Sequence, residues 1–100
     1  MPVYLIASYD VEDSEAHDSY ILAADPILVK HGGEILAAGD EVKELEGQAR
    51  MVNVVIKFES EASAMDFYND PDYKRVKQIR LDSTKNRTVI LAPQFVFPPM

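Results

Sequence analysis

The stretch Val3-Tyr4-Leu5-Ile6-Ala7 is apolar at every position. Its β-branched and aromatic residues mark a strand running from Val3 to Ser8. Side chains along a strand point alternately to two faces. A strand that is apolar on both parities therefore needs cover on both sides, and any fold for this chain has to supply two covers.

The segments that follow alternate in type. Asp10 to Asp13 is a polar turn. A helix begins behind Asp13 or Ser14 as N-cap, with acidic residues in its first turn. Its apolar residues Ala16, Tyr20, Ala24, Ile27 and Leu28 recur at helical spacing. Pro26 removes a donor and crowds the carbonyl of Leu22, which predicts a kink or break near Ala24–Asp25. Gly32-Gly33 ends the helix. A second strand is expected over Glu34–Gly39, broken or bulged at Gly39-Asp40 and continued by Val42–Leu45. Glu46-Gly47 is a turn. Met51–Phe58 is the clearest strand, with Val52, Val54, Ile56 and Phe58 on one face and Met51, Asn53, Val55 and Lys57 on the other.

Ser60 caps a helix from Glu61 to about Asn69, with Ala62, Met65 and Tyr68 on one side. Asp70-Pro71 ends it and opens a short helix in which Tyr73, Val76 and Ile79 line one side. Thr84–Arg87 reads as a polar connection, Thr88–Ala92 as the last strand, and residues 95–100 as an apolar tail containing Phe95 and Phe97.

The order is β-α-β-β-α-β in one domain spanning residues 1–100. Right-handed crossovers put both helices on one face of a four-stranded antiparallel sheet, an α+β, ferredoxin-like arrangement. Four short strands cover roughly 300 Å² of flat area on the other face, much of it apolar. Bare, that would be a large exposed patch. Two sheets packed face to face hide it, so the expected assembly is a homodimer, a dimeric α/β barrel.

Composition narrows the chemistry. The chain has no cysteine, which excludes disulfides, thiolate nucleophiles and cysteine-based metal sites. Ten Lys and Arg against 17 Asp and Glu give a formal charge of −7, which repels phosphate backbones and anionic lipid. No apolar run approaches the ~20 residues of a membrane span, and no signal peptide is evident. The expectation is a cytoplasmic protein with no nucleic-acid or membrane partner.

The pieces Met1-Pro2-Val3-Tyr4-Leu5-Ile6-Ala7, Tyr20 and Pro26, His31-Gly32-Gly33, Gly39-Asp40-Glu41-Val42, Leu45-Glu46-Gly47, Phe67-Tyr68, Asp70-Pro71-Asp72-Tyr73 and Arg80 together carry a resemblance across nearly the whole chain. In order and spacing they resemble an uncharacterised domain-of-unknown-function family of the dimeric α/β-barrel superfamily, related to antibiotic-biosynthesis-type monooxygenases. Asp40 stands where members of that family often carry a second glycine, and the apolar tail is longer. The resemblance implies a ferredoxin-like dimer with a pocket between sheet and helices. The superfamily includes cofactor-free monooxygenases, lactone isomerases, dehalogenases and haem-degrading enzymes. No catalytic residue is carried over.

The polar candidates are few. His17 could face the pocket as a general acid or base; as a plain helix residue it would be partly buried or solvated. His31 suits a helix C-terminus. The two histidines have Pro26 between them and no i,i+4 ligand partner, so no metal site is expected. Arg80 could clamp a carboxylate with Ser83 as a second donor, or close an internal salt bridge. Tyr4 and Tyr20 are candidates for pocket wall, as are Tyr68 and Tyr73. Asn53 needs a partner either at the dimer face or in the pocket. Pro2 would carry a secondary amine if Met1 were removed; otherwise it merely opens an edge of the first strand.

The catalytic candidates are thus His17 and Arg80, and the ligand-binding candidates Tyr4, Tyr20, Asn53, Arg80 and Ser83, with no cofactor. The functional expectation is a homodimeric small-molecule-binding protein, either a cofactor-independent enzyme of the monooxygenase or isomerase kind or a non-catalytic ligand-binding or interaction module.

Overall fold

The computed structural model describes residues 1–99; Met100, the end of the expected tail, lies outside the described residues. The elements are β1 (Val3–Val11), α1 (Ser14–Lys30), β2 (Glu34–Gly39), β3 (Val52–Phe58), α2 (Glu61–Tyr68), α3 (Pro71–Ser83) and β4 (Thr84–Pro93). The strands form one sheet in the order β2-β3-β1-β4, with every neighbouring pair antiparallel. This is the ferredoxin-like fold. Among the described residues no helix is long and apolar enough to cross a membrane.

β1 lies between β3 and β4, so its backbone is paired on both edges. Its odd residues Val3, Leu5, Ala7 and Tyr9 are buried beneath the helices. Phe58 on β3 is wholly buried and stacks against Phe67 of α2, which stacks in turn on Tyr73 of α3 at 4.3 Å between ring centres. The even side of β1 faces away from the helices, and there Ile6 and its cross-strand partner Ile90 remain 37% and 50% exposed.

Several expectations need correction. β1 continues past Ser8 to Val11, and β4 begins at Thr84, because the expected connection Thr84–Arg87 pairs back onto it: Lys85 lies opposite Asp10 and Thr84 opposite Val11. One extra residue on β4 makes this possible, with Asn86 in the left-handed region at φ 56°. Asparagine tolerates that conformation better than most residues.

α1 runs unbroken through Pro26. Pro26 and Leu22 are both exposed, so the carbonyl that loses its helical donor lies on the water side, where solvent can satisfy it. The bulge in β2 falls between Ile35 and Ala37 rather than at Gly39-Asp40. Val42–Leu45 does not continue the strand; residues 40–51 are irregular. On α2 the buried residues are Ala64 and Phe67, while Ala62 and Met65 face outward. The expected stripe was one position out of phase with the aromatic ring that reaches Phe58.

The helix ends are closed by local chemistry. Asp13 accepts from the Ala16 amide, and Ser60 and Ser63 cap α2 reciprocally. At the end of α1 the Gly33 amide donates to Leu28 and the Gly32 amide to Val29, a Schellman closure with Gly32 at φ 74°. Gly33 is required for a different reason: a Cβ there would run into Leu28.

Asp70 does three jobs. It caps α3 through the Asp72 amide (2.9 Å), accepts from His31 Nε2 (2.8 Å) and pairs with Lys30 (3.2 Å). It thereby ties the end of α1 to the start of α3. The His31 hydrogen bond, then that of the Asp72 amide, holds its carboxyl far below the usual range against a smaller opposing effect of burial.

Two outcomes follow from this packing. Phe58→Ala deletes a buried ring and should cost about 3–5 kcal/mol, read as a fall in the urea midpoint. Asp70→Asn keeps a capping side chain but removes its charge. A depressed carboxyl stabilises the fold above its unfolded pKa and loses that contribution as pH falls. The variant should therefore melt below wild type at pH 6, and the gap should begin to narrow only below about pH 4 and go on narrowing as pH falls further; a gap independent of pH would refute the ionic contribution.

Candidate functional site

Between the buried face of the sheet and α1 and α3 lies a cavity of about 200 Å³. An engineered apolar cavity of ~150 Å³ holds benzene, so this one has room for a ring with a few further atoms. Its walls are mostly aliphatic and aromatic, from Leu5 and Ala7 of β1, Val54 and Ile56 of β3, Ala24 and Leu28 of α1, and Phe67. The open side lies between α1 and the edge strand β2, where Ile21, Asp25, Ile35 and Ala38 form the rim and Ile21 and Ile35 are half exposed.

Besides Asp25 at the rim, five polar side chains line this apolar space: Tyr9, Tyr20, Tyr68, Tyr73 and Arg80. Tyr73 and Arg80 stand seven residues apart, two helical turns, on the inward side of α3. The last turn of α3 is held by Thr84 Oγ1, which donates to the Arg80 carbonyl (2.6 Å), and by Ser83 Oγ, which donates to Ile79 (2.7 Å).

Arg80 is only 3% exposed, and no ion pair among the described residues includes it. Its guanidinium lies over the rings of Tyr9 and Tyr20, at 5.8 and 5.7 Å. The negative faces of those rings stabilise a cation. Burial works against its charge, but the hydroxyls of Tyr73 and Tyr20 outweigh that, and its pKa is raised. The arginine is thus a fixed cation in a low-dielectric space whose countercharge none of the described residues supplies.

The hydroxyls are also ordered. Tyr20 and Tyr73 share a hydrogen bond of 2.8 Å. Tyr9 Oη lies 2.6 Å from His17 Nε2. Burial pushes the Tyr9 phenol up to about 12, with Arg80 pulling the other way, and pushes Tyr20 higher still. Both remain neutral donors at physiological pH. His17 is shifted down by burial, opposed by Asp18 and reinforced by Arg80. A neutral ring with its proton on Nδ1 accepts from Tyr9 at Nε2.

Of the residues singled out in the sequence, Tyr20 and Arg80 line the cavity, and His17 stands behind Tyr9 on the solvent side. Tyr73 lines the wall with Tyr68. Three others are placed elsewhere. Tyr4 shares the even parity of β1 and lies opposite Lys57 and Ala92 on the face away from the helices. Asn53 is on that same face, across from Ser8, and its amide donates to the Arg50 carbonyl. The Ser83 hydroxyl is buried and engaged with its own helix backbone, as a helix-end hydroxyl rather than a second donor beside Arg80. Pro2 precedes β1 and its carbonyl accepts from Gln94.

Tyr9 was missed. The strand was expected to end at Ser8, yet Tyr9 continues the odd parity of Leu5 and Ala7. That phase was the available signal.

The chain is similar in structure to a protein of unknown function from Rhodopseudomonas palustris (TM-score 0.81, 16% identity, covering 95% of this chain and 84% of that one). It is also similar to a dimeric ferredoxin-like protein of unknown function from Jannaschia sp. CCS1 (TM-score 0.67, 15% identity, covering 94% and 100%). A hydroxynitrile lyase from Passiflora edulis shares the architecture as well (TM-score 0.73, 13% identity, covering 97% of each). At such identities the likeness is one of fold. No curated protein matches the chain in sequence. A family match over residues 2–93 spans the whole sheet and all three helices, and the chain belongs to that family, the domain of unknown function DUF1330.

Proposed function

We propose that this protein is a homodimer in which each subunit binds a small, partly apolar organic carboxylate between its sheet and its helices. The observation that carries the reading is Arg80, a buried guanidinium with no acidic partner among the described residues, at a mostly apolar cavity. A buried unpaired charge is costly. A ligand carboxylate would satisfy it through a bidentate, charge-assisted contact, while the aliphatic and aromatic walls take up the rest of the molecule.

The dimer part of the reading rests on the uncovered face. Ile6 and Ile90 are cross-strand partners exposed on it, and Phe95 and Phe97 pack edge to face on each other while largely exposed. A second copy would cover both. The dimeric relative from Jannaschia sp. CCS1 supports this by analogy. The lyase of shared fold supports an enzyme in the same way; saturable binding without turnover would instead make the protein a ligand-binding module. The charge of −7 favours neither nucleic acid nor an anionic membrane as partner.

The test is thermal denaturation against paired acids and amides of the same carbon skeleton, beginning with arylacetates and aryl 2-oxo acids. At a hundredfold excess over Kd a ligand stabilises by about 2.7 kcal/mol, which for a chain of this size raises the Tm by more than ten degrees or so. Acids should shift the Tm and amides should not. Arg80→Met should abolish the acid response while leaving the unliganded Tm equal or higher, because removing an unpaired buried charge relieves its desolvation. An equal response from amides, or from Arg80→Met, would refute the carboxylate reading. Separately, Ile6→Glu puts a charge in the centre of the open face and should convert the dimer to monomer in native mass spectrometry; a dimer that survives it would place the interface elsewhere.

A further inference from the structure

The cavity holds more than an anion clamp. Tyr9 lines it, and its hydroxyl contacts His17 at 2.6 Å. His17 is half-buried at the start of α1, so this hydrogen bond leads from the cavity wall toward solvent. The Tyr20–Tyr73 pair supplies a second function. Each phenol has one proton, and only one of the two can be spent on their mutual hydrogen bond. The other remains free to donate to an oxygen in the cavity. Arg80 sits over the rings of both Tyr9 and Tyr20 and so beside both groups.

We propose that the site enolises its ligand: an apolar carboxylate carrying a carbonyl next to an acidic C–H, with Tyr9 and His17 as a proton relay and the Tyr20–Tyr73 hydroxyls as oxyanion donors. The inference rests on the carboxylate reading of Arg80. In the step, the C–H bond breaks and its electron pair forms a carbon–carbon double bond. The carbonyl π pair moves onto oxygen, where the free hydroxyl of the tyrosine pair receives it. The proton goes to Tyr9 Oη as the proton of Tyr9 passes to His17 Nε2. Tyr9 ends neutral and His17 ends as imidazolium.

The charges match across the cavity. Arg80 and imidazolium carry two positive charges, against the carboxylate and the enolate. Reversal returns the proton to the same carbon, to a different carbon or to oxygen, so the net reaction is hydrogen exchange or isomerisation. No electrons are gained or lost. Tyr9 is the catalytic residue here; His17 acts through it.

The groups facing His17 set the pH response. They are Tyr9 on β1, Arg80 on α3, and Tyr20 and Asp18 on its own helix. The relay needs His17 neutral, so activity should fall as pH drops through its pKa, which burial places below the ordinary value of 6.5, and should be flat above it.

The probe is phenylpyruvate, an aryl 2-oxo acid, followed by loss of its C3 proton signal in deuterium oxide with the buffer-only rate subtracted. Wild type should accelerate exchange and show the acid inflection. Tyr9→Phe and His17→Gln should bind the probe within about threefold of wild type yet exchange it about a hundredfold more slowly, the scale of general acid–base contributions. The inflection should vanish in His17→Gln. Exchange at the wild-type rate in either variant, or an inflection that survives in His17→Gln, overturns the relay. Binding without exchange overturns it too and leaves the carboxylate reading standing. Failure of wild type to bind the probe, read as no Tm shift, overturns both.

Discussion

The central position of β1 is the constraint on which the rest depends. Its backbone is paired to β3 on one edge and β4 on the other, so its register sets theirs. Its parity then divides the molecule in two. Odd residues build the core and the cavity floor, and even residues face away from the helices. A slip of one residue would exchange the two sets. The buried ring of Phe58 lies at one end of the β1–β3 ladder, opposite Val3, and Tyr9 lies at the other. The sheet therefore runs from tight aromatic packing at one end to a polar, tyrosine-rich wall at the other.

That gradient shapes the chemistry of the site. Arginine over tyrosine faces, tyrosine on tyrosine and tyrosine on histidine form a polar cluster with no carboxylate among the cavity's inner groups; Asp25 stands at the rim, where it is exposed. The effect is a permanent positive charge held in an apolar environment by dipoles and ring faces alone. Such an arrangement favours an anion far more than water would, while burial, against the pull of Arg80, keeps the Tyr9 and Tyr20 phenols protonated. The acid excess of the chain is spent elsewhere: on helix starts, on exposed faces, and on Asp10 and Asp70. Asp10 accepts from Arg50, Asn86 and the Met51 amide, holding the irregular stretch before β3 against the β1–β4 ladder. Asp70 does the same for the two helices.

Much of this was legible in the sequence. The order of elements, the antiparallel sheet, the helix caps at Asp13 and Ser60, the Gly32-Gly33 stop and the inward side of α3 all follow from side-chain period and local hydrogen bonding, which act within a few residues. Tyr20 could be singled out because a phenol on the apolar stripe of its helix can wall a pocket, and Arg80 because a guanidinium at the end of the third helix can clamp a carboxylate and falls at a recurring position of the family resemblance. The errors share a cause. The strand ends, the course of Thr84–Arg87, the survival of α1 through Pro26 and the inner side of α2 are all decided by partners far away in the chain.

By itself, then, the sequence determined the fold class and the two-sided apolar demand of β1, because these rest on periodicity and on the order of the elements. Only the tertiary structure decided which polar groups meet. Tyr9 reaches His17 because β1 runs on past Ser8 beside the start of α1; Tyr20 reaches Tyr73 because α1 packs on α3; Tyr4, Asn53 and Ser83 are kept away from the cavity by parity and by their own backbone bonds. Hydrogen bonds between residues as far apart as Tyr20 and Tyr73 carry no local signature, since the geometry that makes them exists only once the sheet has brought its helices together.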